Sequence, residues 1–312
     1  MTSTTSDLLS LFAATCGLMA VLTFMGELLR IRAGDDNPVV LTFMTRLRSW
    51  WGMIILFTLA LIIGKFGILV LFAFASFAAL REFLTLTSKR RADHLSLALA
   101  FFVVLPLQYV FVGLDWQGLY TVFIPVYAFL LLPIVSVMRG NSERFLVRVA
   151  ETQWALMITV FCMSHVPALL TIQIEGYPAD RGILLIAFLI MVVQFGDLLD
   201  FFFGRRFGKT RIIPEISAKT WEGMAGGVIS ATIIGGLLAW MTPFSILGAM
   251  GMAAIASLVG SFGNMVFAAI KRDRDVKDWS HLIPGQGGFI DQLDSVIFAA
   301  PVFYHITTLI WT

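Results

Sequence analysis

Charge is what this sequence has least of. Asp, Glu, Lys and Arg make up 13% of its 312 residues, about half the share found in a soluble globular chain. With a mean hydropathy of +0.87, that scarcity places the chain in the membrane class. Cysteine is rarer still: Cys16 and Cys162 both fall inside apolar runs and lack the spacing of a disulfide framework. The four histidines show no metal-ligand spacing. His94 and His281 read as loop residues, His165 lies just before Pro167 within a span, and His305 stands near an outer end. A formal net charge of +2 excludes a strongly basic nucleic-acid binder. No basic segment or small-residue cleavage site precedes Leu8, so the first apolar run reads as a retained helix rather than a leader.

What abounds is long apolar sequence. Runs at 8–29, 51–63, 67–80, 95–113, 119–138, 149–173, 183–203, 221–241, 245–270 and 288–311 predict an all-α polytopic integral membrane protein with about ten transmembrane helices. The second and third runs are short. They predict either a helical hairpin broken at Gly64-Lys65 or a partly re-entrant segment. The connections alternate in charge. Segments 30–50, 81–94, 139–148, 204–219 and 271–286 carry 4, 4, 3, 5 and 4 Lys/Arg, or 20 of the 22 in the chain. The remaining connections hold only Lys65 and Arg181. Positive-inside bias reads the five basic segments as cytoplasmic loops and puts both termini outside. Residues 1–148 form an N-terminal transmembrane region, and residues 149–312 a C-terminal one that carries every motif described below.

Some carboxylates lie where hydrocarbon is expected. Asp197 is about two turns, or roughly 10 Å, from the cytoplasmic end of its span, and Asp200 follows on the same face. Asp291 and Asp294 repeat that three-residue spacing in the first two turns of the last span. Each alone can be an interfacial side chain that reaches back to water. Two such pairs, each beside a strongly basic stretch, point instead to a wet cavity and a functional site.

GRRFGKT (204–210) resembles a phosphate-binding P-loop but fails its spacing. Three residues, not four, separate Gly204 from Gly208-Lys209-Thr210, and the run follows a membrane helix rather than a strand. Arg205, Arg206, Lys209 and Arg211 remain suited to phosphate or lipid headgroups, and equally to a plain positive-inside anchor. In ISAKTWEGMAGG (216–227), Ser217 is placed to cap a helix starting near Lys219, whose free backbone N–H groups suit phosphate. Gly223, Gly226 and Gly227 give that helix a bare face for close packing. Packing does not explain why Lys219 and Glu222 stand at its mouth. The stretch from Ile270 to Ser295 then places nine formal charges between two apolar runs. Lysines and arginines neutralise phosphate, and adjacent carboxylates can carry Mg²⁺. The combination suits phosphoryl or nucleotidyl transfer at a membrane face, where positioning and charge neutralisation dominate.

KRDRDVKDWSHLIPGQGGFIDQLDS (271–295) resembles the signature of the phosphatidate cytidylyltransferases, or CDP-diacylglycerol synthases. Lys271, Arg272, Lys277, Asp278, Pro284, Gly287, Gly288, Asp291 and Asp294 match in register. DLLDFFFGRRFGK (197–209) resembles a second family run at Asp197, Gly204 and Lys209, and SAKTWEG a third. ALREF, around Glu82, is a faint echo of a common family glutamate. The likeness is strong over about 183–312 and weak before it. It implies an integral membrane enzyme that joins CTP to phosphatidic acid with Mg²⁺, and a second cation where the site takes two. The products are CDP-diacylglycerol and pyrophosphate.

The resemblance implies Lys219, Lys271, Arg272, Lys277 and Asp278 as catalytic residues. It implies Arg205, Lys209, Ser217, Glu222, Gly287, Gly288 and Asp294 as substrate-binding, and Asp278, Asp197, Asp291 and Asn264 as metal-facing. It also implies a bacterial-type inner membrane with the site on the cytoplasmic side, no nucleic acid, and a homodimer in some members. This chain departs from the pattern at five places. Asn264 stands for an Asp, Ala268 for a Ser, Gln286 for a His and Gln292 for an Arg, and Asp200-Phe201 replaces Ala-Tyr. SAKTW is also one residue short. A second expectation is therefore a catalytically weakened paralogue that binds phosphatidate, CTP or a partner lipid enzyme without efficient turnover. A third, a transporter, lacks an inverted repeat with matched broken helices.

Overall fold

The structure, a computed structural model, describes residues 3–33, 37–87, 93–140 and 142–312. Lys89, Arg90 and Arg91 of the second basic segment lie outside them. Among the described residues there are helices and two isolated bridges but no strand. In hydrocarbon a backbone must satisfy its own hydrogen bonds, and a helix does so within one segment.

Among the described residues ten long helices follow one another: α1 (Ser3–Ala33), α2 (Pro38–Ile63), α3 (Lys65–Thr85), α4 (His94–Gly113), α5 (Gln117–Val137), α6 (Phe145–Thr171), α7 (Gly182–Phe207), α8 (Trp221–Leu237), α9 (Ile246–Asp273) and α10 (Phe289–Trp311). Nine helices among the described residues are long and apolar enough to cross a membrane. The tenth, α8, has 17 residues, about 26 Å of rise against roughly 30 Å of hydrocarbon. Large apolar side chains such as Leu309 (85% exposed) and Leu247 (79% exposed) cover the outer surface, as lipid contact requires.

The second and third runs are full helices, each long and apolar enough to cross a membrane, as the hairpin reading expects. They turn at Gly64, whose φ of +83° suits a residue without a Cβ. The sequence reading shortened α2 because residues 38–50 carry Arg46, Ser49 and other polar groups. Those groups are helical and meet a loop of the last motif. His94 is the first residue of α4 rather than a loop residue. Helices α4, α5 and α6 each contain a π-helical stretch, at Ala100–Val104, Phe123–Ala128 and Met157–Cys162. Each includes or closely precedes a proline (Pro106, Pro125 or Pro167), which cannot donate to the regular ladder.

Ion pairs join segments that the charge alternation assigns to one side. Arg181 meets Asp7 at 2.6 Å and Lys65 meets Asp115 at 2.6 Å, all in connections of the sparsely charged set. Arg274 meets Glu151 at 2.7 Å, and Arg148 meets Asp93 at 2.9 Å, on the basic side. One continuous buried apolar cluster runs from Ala60 to Tyr304, so both regions of the chain share a core. Helices α3 and α6 lie deep in the bundle, whereas α1 and α2 flank it.

Candidate active site

Helix α7 brings Asp197 and Asp200 to its inner face because three glycines let α8 lie against it. A Cβ on Gly223 would sit 2.8 Å from the Asp200 backbone oxygen, and one on Gly227 would sit 2.7 Å from the Gly196 oxygen. Gly226 packs the same way on the Phe203 ring. The connection between α7 and α8 folds back over the carboxylates. Glu222 accepts the backbone N–H groups of Lys209 and Thr210 at 3.2 Å. Ile212 N donates to Lys219 O at 3.0 Å, and Trp221 N to Thr210 O at 3.0 Å.

Thus held, Lys219 places Nζ 2.6 Å from Asp200 Oδ2 and 3.3 Å from Asp197 Oδ1. Burial pulls its pKa down, but the two carboxylates outweigh burial, and the ammonium titrates above the ordinary lysine value. Ser217 does not cap α8. Its hydroxyl accepts Lys219 N at 3.2 Å in a short turn, and Thr220 caps the helix by accepting Gly223 N at 3.1 Å. The helix begins at Trp221, two residues later than the sequence suggests.

The start of α10 is closed by two carboxylates. Glu82, at the end of α3, accepts Phe289 N at 2.9 Å, Ile290 N at 3.0 Å and the Ser280 hydroxyl at 2.7 Å. A Cβ on Gly288 would lie 2.5 Å from its carboxylate oxygens, so the approach needs glycine. Asp291 Oδ2 accepts Gly288 N and Trp279 N, both at 2.9 Å, while Oδ1 pairs with Lys271 at 2.9 Å. Gly287, at φ +88°, turns the chain tightly over Asp291. These bonds satisfy backbone donors that an open helix end leaves free. Both Asp291 oxygens are thereby engaged within the protein.

One turn further, Asp294 faces α9. Asn264 Nδ2 donates to Asp294 Oδ1 at 3.3 Å and to the Ser295 hydroxyl at 2.8 Å. Asp294 also lies within electrostatic reach of Asp197, Lys271 and Lys219. The structure therefore gathers Asp197, Asp200, Lys219, Asn264, Lys271, Asp291 and Asp294 from α7, α9, α10 and the connection before α8. Arg205, Lys209, Arg272 and Lys277 are exposed, at the last turns of α7 and α9 and in the connections that follow them. Asp278 is half-buried in the 274–288 connection, and its carboxylate meets no described side chain.

Two further members carry weaker or mixed signals in the sequence. Glu82 shows in the sequence only as a faint echo of a family glutamate in ALREF. Asp200, which the sequence pairs with Asp197 on one face although it departs from the resembled motif, holds Lys219 at the shorter of its two contacts. Among the described residues no three Asp, Glu, His or Cys side chains converge as a metal cage. Asp197 and Asp294 still fit Mg²⁺, which commonly takes one or two protein carboxylates and completes its shell with water and substrate phosphate.

The model of the cytidylyltransferase family matches residues 44–310. Over 268 residues the chain is 37% identical to the uncharacterised protein YnbB of Escherichia coli K12, covering 83% of this chain and 85% of that protein. Over 261 residues it is 29% identical to a phosphatidate cytidylyltransferase of Bacillus subtilis 168, covering 82% and 94% respectively. A phosphatidate cytidylyltransferase of Aquifex aeolicus VF5 is 36% identical over 118 residues, 38% of this chain and 44% of that protein.

Proposed function

The chain belongs to the cytidylyltransferase family, and on that premise we propose that it transfers the cytidylyl group of CTP to phosphatidic acid. A phosphate oxygen of the lipid attacks the α-phosphorus in line, the bond to the β-phosphate oxygen breaks, and pyrophosphate leaves with CDP-diacylglycerol as the other product. The observation that carries this reading is the cluster at one end of α7, α9 and α10. There Lys219 and Lys271 stand among Asp197, Asp200, Asp291 and Asp294.

A reaction that moves negative charge between phosphates is served by fixed cations in a partly dehydrated site. Lys219 and Lys271 supply that charge, and Arg205, Lys209, Arg272 and Lys277 gather the triphosphate at the rim. Asp197 and Asp294, with the Asn264 amide alongside, would hold Mg²⁺, which would supply neutralisation of phosphate oxygens. Asp291 and Glu82 hold the loop and the helix start. The site faces the cytoplasm of an inner membrane on this reading, because the basic connections surround it and CTP is cytosolic.

Asn264 favours a second reading, in which the protein binds both substrates but turns them over weakly. Purified protein in liposomes with labelled CTP, phosphatidic acid and Mg²⁺ decides between them. We expect CDP-diacylglycerol from the wild type, loss of at least a hundredfold in Lys219→Met and Asp294→Asn, and a smaller loss in Asp278→Ala. Bound lipid and nucleotide without product would establish the weakened member. Substrate flux without nucleotide turnover would make it a transporter.

A further inference from the structure

A chain of neutral amides crosses the last motif from α2 to α7. Trp50 Nε1 donates to Gln286 Oε1 at 3.2 Å, and Gln286 Nε2 donates to the Arg46 carbonyl oxygen at 2.9 Å. Alongside, Arg46 Nε donates to Gly285 O at 3.1 Å and the Ser49 hydroxyl to Pro284 O at 2.9 Å. On the other flank, Gln292 Nε2 donates to Gln286 O at 2.9 Å. Gln194 Nε2 then donates to Gln292 O at 3.0 Å.

Gln194 stands three residues before Asp197 on α7, and Gln292 two residues before Asp294 on α10. We infer that Gln286 and Gln292 are positioning residues: with Trp50 and Gln194 they clasp the start of α10 between α2 and α7, and so set the separation of Asp197 and Asp294.

Three observations carry this beyond a set of surface contacts. The loop is poorly held from within, since Gly285 (φ +74°) and Gly287 (φ +88°) flank Gln286. Its own backbone bonds are Ile283 N to Gly287 O at 2.8 Å and Gln286 N to Ile283 O at 3.0 Å. Its place in the bundle therefore depends on partners outside it. The Gln286 rung also needs one side chain that accepts from Trp50 while donating to Arg46. An amide does both at once, whereas a guanidinium only donates and a neutral imidazole offers one of each at fixed ring positions. Finally, these are two of the positions where the sequence departs from the resembled pattern, from His and Arg to Gln. Through the Gln286 side chain the last motif recruits α2, which carries no motif.

What the positioned carboxylates do rests on the proposed reaction, but the clasp stands on its hydrogen bonds. The test uses the full chain in nanodiscs, with Trp50→Phe, Gln286→Ala and the double variant. Amide hydrogen exchange across residues 283–292 and steady-state kinetics with CTP are both followed. Losing one rung is expected to speed exchange there about fivefold to tenfold. The turnover number should fall by a similar factor while KM for CTP stays within about twofold. Because Trp50 acts through Gln286, the double variant is expected to match Gln286→Ala rather than the sum of the two effects. Unchanged exchange in both single variants, additive effects, or a raised KM at constant turnover overturns the inference. A wild type without turnover would remove the proposed reaction, and the exchange measurements would still decide the clasp.

Discussion

Asn264 and Asp200 alter the charge of the site in opposite senses. Asn264 donates an amide hydrogen to Asp294, so a neutral amide partners the carboxylate directly. An aspartate at 264 removes that donor and sets two carboxylates face to face. Leaving a buried group without its partner costs about 1–3 kcal/mol, and a divalent cation can compensate. Asn264→Asp is therefore expected to lower Tm by several degrees in chelator and to regain most of that loss as Mg²⁺ is added. A variant whose Tm ignores Mg²⁺ would show that position 264 does not face a cation. Asp200, in turn, gives Lys219 a second carboxylate. The raised Lys219 pKa implies stabilisation that is complete below the ordinary lysine value of about 10.4. It is lost only as pH rises through the higher folded value. Neutral pH leaves the ammonium charged and the cluster intact.

At the scale of elements, the close approach of α7 and α8 is what puts Lys219 over Asp197 and Asp200. Gly227 faces the Gly196 oxygen and Asp200 Cβ, where an added Cβ would lie at 2.7 and 2.8 Å. Backbone cannot yield as a flexible side chain can, so Gly227→Val should destabilise the protein by about 1–3 kcal/mol and abolish turnover. Gly251 is the control, since an added Cβ there meets nothing within 4 Å. Gly251→Ala should be neutral or stabilise by up to about 1 kcal/mol through helix propensity. Thermal unfolding in detergent reads both. Equal Tm values for the two variants would mean that the glycine face does not set the α7–α8 distance. Helix α10 shows a related economy of contacts: its first N–H groups are closed by Glu82 from α3 and by its own Asp291.

Across the whole molecule, sidedness ties the architecture to the chemistry. The pairs Arg181–Asp7 and Lys65–Asp115 lie on one side, and the site with Arg274–Glu151 on the other. If the basic side is cytoplasmic, single cysteines in a background lacking Cys16 and Cys162 should report it. Gly118→Cys, on the sparsely charged side, is expected to react with an impermeant maleimide in intact cells. Arg206→Cys should react only after permeabilisation. The reverse pattern would separate the carboxylates from cytosolic CTP and remove the proposed reaction.

The sequence by itself determined the all-helical character, the order of the apolar helices and the three motifs, because hydropathy and motif spacing are properties of contiguous residues. It also singled out Asp197, Lys219, Lys271, Asp291 and Asp294 as chemistry-bearing groups, since charge so near hydrocarbon needs a reason. It shortened α2 because a polar helix end reads as a loop until its partners are known. Only the tertiary structure decided which charges pair. Lys219 belongs to Asp197 and Asp200, Lys271 to Asp291, and Thr220 rather than Ser217 caps α8. The same holds for Glu82, which reaches Ser280 across 198 residues, and for Gln286, which reaches Arg46 across 240. Contacts between distant helices depend on how the helices pack, and no local pattern in the chain encodes that distance.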